Sequence, residues 1–84
     1  MIQIAVVEDE QEYIDTITEY LQRYEQEQNT KIQITVYRDG DGITEGYKAQ
    51  FDIILMDIQM KFVDGMTAAE EIRRMDSEVI IIFI

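Results

Sequence analysis

Three carboxylates in this sequence are placed where they could do chemistry. Glu8 and Asp9 close the apolar run Ile2-Gln3-Ile4-Ala5-Val6-Val7, and Asp57 interrupts a second one, Phe51-Asp52-Ile53-Ile54-Leu55-Met56-Asp57-Ile58. An unpaired carboxylate among apolar side chains is costly, and acids crowded together repel and push their pKa values apart. A small hard dication relieves both. Mg²⁺ takes oxygen ligands octahedrally, keeps several waters, and is commonly held by one or two carboxylates plus a phosphate group. If the two runs end side by side, Glu8, Asp9 and Asp57 form a crevice suited to Mg²⁺ and a phosphoryl group together. For the first pair a plainer reading competes. Asp9 followed by Glu12 resembles a helix N-cap with an acid three residues on, and acids in a first turn complement the helix dipole. Asp57, flanked by apolar residues, is harder to explain that way.

Composition narrows the remaining chemistry. The 84 residues include 18 Asp+Glu against 7 Lys+Arg, for a net charge of −11, and no Cys, His, Trp or Pro. That excludes a disulfide framework, a Cys/His zinc site and any Ser-His or Cys-His nucleophile pair. It also argues against direct nucleic-acid binding by this segment, which needs clustered Lys/Arg. The apolar share of 46% is ordinary for a folded domain. The longest strongly apolar run, Val79 to Ile84, is far short of the roughly 20 residues that span a bilayer, so no membrane segment is expected. The N-terminus lacks the basic start and apolar core of a signal peptide. An acidic, cysteine-free chain of this kind fits the cytoplasm.

The elements that must position the carboxylates follow from periodicity. Ile2–Val7 reads as a strand buried on both faces. A helix from about Glu10 to Gln28 follows, with Ile14, Ile17, Leu21 and Tyr24 on one face, Tyr13 and Tyr20 widening the stripe, and Asn29 as its stop. Ile32, Ile34 and Val36 alternate with polar residues, as in an edge strand. Arg38 to Gly42 is a turn cluster, and a weak helix is expected from Ile43 to Ala49. Phe51–Ile58 reads as a central strand and Gln59–Gly65 as a loop. Met66–Met75 is helical with Ala69, Ile72 and Met75 inward. Asp76-Ser77 turns into a fourth buried-type strand, Val79–Ile84. The order β-α-β-α-β-α-β implies an α/β fold, a doubly wound parallel sheet with right-handed crossovers. Such sheets bind ligands at the C-terminal ends of their strands, where all three carboxylates fall.

These residues resemble a response-regulator receiver domain. The resemblance is carried by Val6-Val7-Glu8-Asp9-Glu10, by Phe51 to Met60 with Asp57 near its centre, by Asp64-Gly65-Met66 at the family's spacing from Asp57, and by Val79 to Ile84 as a fourth strand. It implies a flavodoxin-like sheet of order 2-1-3-4-5, with residues 1–84 as the N-terminal two-thirds of one receiver domain, lacking its fourth helix, fifth strand and fifth helix. It implies a two-component signalling module rather than an enzyme. Asp57 would accept a phosphoryl group from a phosphohistidine of a sensor histidine kinase. Asp9 and Asp57 would bind Mg²⁺ directly, Glu8 through water, and the Gln59 backbone carbonyl would complete the protein ligands. The long first helix and the run Gly65-Met66-Thr67-Ala68-Ala69 resemble receivers that precede LytTR-type DNA-binding domains, which implies transcription as the output.

The chain also departs from the family. Lys61 stands where many receivers have Pro, and Phe62 and Val63 make the same loop unusually apolar. The switch Thr/Ser and the phosphoryl-contacting Lys that follow the fourth strand in the family lie beyond Ile84. Two other readings remain. One is a Mg²⁺-dependent phosphohydrolase of the haloacid-dehalogenase type, against which Asp57-Ile58-Gln59 lacks the second Asp of that motif. The other is a non-catalytic fragment that forms a homodimer or domain-swapped oligomer through the uncharged strand 79–84.

Overall fold

A computed structural model describes residues 1–60 and 64–84. The expectations for Lys61, Phe62 and Val63 lie outside the described residues. The elements are β1 (Ile2–Val7), α1 (Gln11–Gln28), β2 (Ile32–Tyr37), α2 (Gly40–Thr44), β3 (Ile53–Met56), α3 (Gly65–Met75) and β4 (Ile80–Phe83). The strands form one parallel sheet of order β2-β1-β3-β4, the expected α/β receiver arrangement over this length. β1 and β3 are central and β2 lies at an edge, as their hydrophobic patterns require.

Side chains alternate across the sheet. Ala5, Val7, Ile54 and Met56 point into the main core, where α2 supplies Ile43 and α3 supplies Ala68 and Ile72. Ile4 and Val6 are buried on the other face. On that side Leu21 of α1 borders a groove with Ile32, Ile34 and Val36 of β2.

Several boundaries and faces differ from expectation. β3 stops at Met56 because its register pairs Met56 with Val7, the last residue of β1; Asp57 and Ile58 therefore lie beyond the strand. The second helix begins at Gly40, inside the supposed turn cluster, because the Asp39 side chain accepts a hydrogen bond from the Gly42 N–H. It ends before Gly46, whose φ of 65° is left-handed. α1 begins at Gln11 with Glu10, not Asp9, at the cap position. Asn29 stops it as expected, with φ 51° and its N–H donating to the Glu25 carbonyl. Tyr13, Tyr20 and Tyr24 are exposed rather than part of the inward stripe, and Met75 is exposed as well. The fourth strand has a buried composition but sits at a sheet edge, so Ile80 and Ile82 are 56% and 46% exposed.

Candidate metal centre

The C-terminal edge of the sheet is held by ladder bonds that continue past the strands. The Glu8 N–H donates to the Tyr37 carbonyl at 3.0 Å, the Asp57 N–H to the Val7 carbonyl at 2.9 Å, and the Ile84 N–H to the Met56 carbonyl at 2.9 Å. These bonds put the residues after β1 and β3 at the same height on neighbouring strands. The sheet thereby brings together the three carboxylates singled out in the sequence. Glu8, Asp9 and Asp57 each offer an oxygen, and these oxygens all lie within 4.8 Å of one another.

The burial of the three differs from the sequence-based expectation. Glu8 is the buried acid, 4% exposed, while Asp9 and Asp57 are half-buried. Burial pushes the Glu8 carboxyl up from 4.5 to about 7, and a hydrogen bond to Asp57 and the charges of Asp57 and Asp9 add to the rise. A neutral Glu8 can share its proton with the neighbouring carboxylate; an ionised one needs a cation. The alternative role for Asp9 as a helix cap does not hold, since α1 starts one residue later.

Gln59 reaches the site through its backbone, its N–H donating to Asp57 Oδ1 at 3.2 Å. It also lines, with Glu8, Glu10, Tyr13, Ile17, Asp57 and Ile84, a cleft of about 530 Å³. The donor set fits Mg²⁺: all-oxygen ligands, crowded, with one carboxyl raised by burial and by its neighbours, beside a cleft open to a phosphoryl group.

A second polar cluster escaped the sequence reading. At the opposite end of the sheet Asp76 is buried. It accepts a 2.7 Å hydrogen bond from the Tyr47 hydroxyl and others from the N–H groups of Glu78 and Val79. The Tyr47 bond holds the Asp76 carboxyl below the usual range, and burial raises the Tyr47 hydroxyl. This cluster ties the segment before β3 to the turn before β4. The sequence around Asp76 shows only the Asp76-Ser77 turn, because the tyrosine partner lies 29 positions away.

Among the described residues no helix is long and apolar enough to cross a membrane. The family model described as the response regulator receiver domain matches residues 4–84. No curated protein matches the chain in sequence. Among solved structures, response regulator protein TrrA of Thermotoga maritima, in complex with Mg²⁺-BeF, superimposes with a TM-score of 0.84 at 26% identity, over 99% of this chain and 68% of that one. The same regulator in complex with histidine kinase ThkA gives 0.66 at 28% identity, over 99% and 67%. Chemotaxis protein CheY4 of Vibrio cholerae gives 0.80 at 21% identity, over 99% and 67%, a likeness of fold. The chain thus spans about two thirds of the length of these solved relatives.

Proposed function

This chain belongs to the response regulator receiver family, and from that premise we propose that it is phosphorylated on Asp57 by a sensor histidine kinase in a Mg²⁺-dependent step. The observation that carries the proposal is the convergence of Glu8, Asp9 and Asp57 within 4.8 Å beside an open cleft. The complexes of TrrA with Mg²⁺-BeF and with a histidine kinase support it by similarity.

Asp57 is the nucleophile. A carboxylate oxygen of Asp57 forms the new O–P bond as the P–N bond of the donor phosphohistidine breaks, and the imidazole nitrogen leaves with the electron pair. The Asp57 N–H bond to Val7 and the Gln59 N–H on Oδ1 fix the carboxylate before the donor arrives, which lowers the cost of reaching the in-line geometry. Asp9 and Asp57 would hold Mg²⁺ directly, Glu8 would hold it through water, and the Gln59 carbonyl would add a further oxygen. When bound, the ion supplies charge neutralisation at the phosphoryl oxygens. The Gln59 side chain borders the phosphoryl group and tunes the access of attacking water. The output is a downstream response, with transcription favoured by the resemblance to LytTR-type regulators.

The test is intact mass after exposure to Mg²⁺ and acetyl phosphate. One phosphoryl increment, absent without Mg²⁺ and absent in Asp57→Ala, is expected. No increment, or turnover of a generic phosphate ester at enzymatic rates, would sink the proposal in favour of a non-acceptor or a phosphohydrolase. Self-association through β4 is a second reading, motivated by the exposure of Ile80, Ile82, Phe83 and Ile84 on an edge strand.

A further inference from the structure

Helix α3 starts against the backbone of the proposed phosphoacceptor. The Gly65 N–H donates to the Ile58 carbonyl at 3.0 Å, which lays the first residue of the helix on the Asp57–Ile58 peptide. A Cβ at Gly65 would lie 2.1 Å from the Asp57 carbonyl oxygen, 2.9 Å from the Asp57 carbonyl carbon and 2.9 Å from the Ile58 Cα. All three are backbone atoms, so no side chain can swing aside to make room. The need for glycine here is one of space, since Gly65 begins an α-helix and its φ is not in the left-handed region that Gly46 occupies.

The helix cannot easily retreat. Ala68 and Ile72 are fully buried in the core, and the Asp64 side chain accepts from the Thr67 N–H at 2.8 Å to cap the first turn. Asp57 is tied on its other side to Val7. A side chain at position 65 therefore drives the Asp57 peptide out of place, and with it the carboxylate that must meet Glu8 and Asp9. We propose that Gly65 is a positioning residue for Asp57, its missing Cβ being what allows α3 to clamp the Asp57–Ile58 peptide and aim the carboxylate into the acidic cluster. This rests on the reading of Asp57 as phosphoacceptor and Mg²⁺ ligand.

The test compares the wild-type chain, Gly65→Ala, and Ile72→Val, which loosens the same helix without touching Asp57. Three quantities are read below the melting transition: backbone amide shifts of the metal-free proteins, Mg²⁺ affinity by calorimetry, and the rate of labelling by acetyl phosphate. Gly65→Ala is expected to shift the amides of Glu8, Asp9, Asp57 and Ile58 while leaving those of β2 unchanged. It should lose about tenfold or more in Mg²⁺ affinity and in labelling rate, the scale expected when a group that orients metal ligands is disturbed. Ile72→Val should stay within about twofold of wild type on both, since Ile→Val leaves only a small cavity. If Gly65→Ala alone does not fold, the amide-shift comparison is made in a Glu8→Gln background, which keeps position 8 neutral at every pH.

A folded Gly65→Ala chain with wild-type amide shifts and Mg²⁺ affinity would overturn the proposal. So would an equal loss in Ile72→Val, which would reduce Gly65 to a contributor to helix stability. A wild-type chain that binds Mg²⁺ but gains no phosphoryl mass would overturn the phosphoacceptor reading instead, and the amide shifts and Mg²⁺ affinity would still decide the role of Gly65.

Discussion

Glu8 makes the site sensitive to pH in a direction that can be worked out. Its carboxyl is raised from 4.5 to about 7 in the folded chain, first by burial and then by Asp57 and Asp9. Between those values the folded state holds a proton that the unfolded state has released, so stability falls as pH rises through this window. At 1.36 kcal/mol per pKa unit, the Glu8, Asp9 and Asp57 cluster contributes on the order of a few kcal/mol to that fall. Urea denaturation of the metal-free chain from pH 4.5 to 8 should show the decline, and Glu8→Gln should flatten it. At pH 8 Glu8→Gln should be more stable than wild type without metal, yet bind Mg²⁺ about tenfold more weakly. Saturating Mg²⁺ should oppose the decline in the wild type, because it binds the ionised carboxylates. A wild-type chain equally stable across the window without metal would contradict this account of Glu8. The identity of the three acids was legible in the sequence, since each followed an apolar run. Which of them is buried was not. Glu8 and Asp57 both lie one residue past the paired ends of β1 and β3, and only the packing around that edge covers Glu8 and leaves Asp57 half-buried.

At the scale of elements, the sheet edge and the two long helices do the positioning. α1 ends at Asn29 in a left-handed conformation, which costs most non-glycine residues roughly 1–2 kcal/mol but suits Asn. Asn29→Ala should therefore lose about 1 kcal/mol, while Asn29→Gly should match or exceed wild type in thermal denaturation. Ile72, fully buried against the core face of the sheet, should cost about 2–5 kcal/mol on replacement by Ala. The strands were readable because their apolar runs are short and β-branched, and α3 because Ala69 and Ile72 recur at helical spacing. α2 was misplaced because Asp39, read as part of a turn, caps a helix. The Tyr47–Asp76 bond could not be read at all, because neither residue carries a local signal of its distant partner. The same holds for the Gly65 contact with Asp57, where spacing showed the glycine but not the clash that requires it.

Across the whole molecule, the order β2-β1-β3-β4 gathers the acids at one edge and leaves β4 outermost. That strand is uncharged and exposes Ile80, Ile82 and Phe83, a combination that favours pairing with another strand. Sedimentation at tens of micromolar should detect self-association of these 84 residues, with Ile82→Lys shifting the population towards monomer. A compact wild-type monomer at that concentration would refute it. The composition that first excluded zinc, disulfides and nucleic acid is consistent with this surface, since none of the acidic residues lies on β4. The central claim is that one carboxylate, Asp57, accepts the phosphoryl group. It is tested most directly by labelling the chain with acetyl phosphate and Mg²⁺, trapping the acyl phosphate by reduction, and sequencing the modified peptide. The account predicts modification at Asp57 alone; modification at Glu8, Asp9 or Asp52 with Asp57 untouched would contradict it.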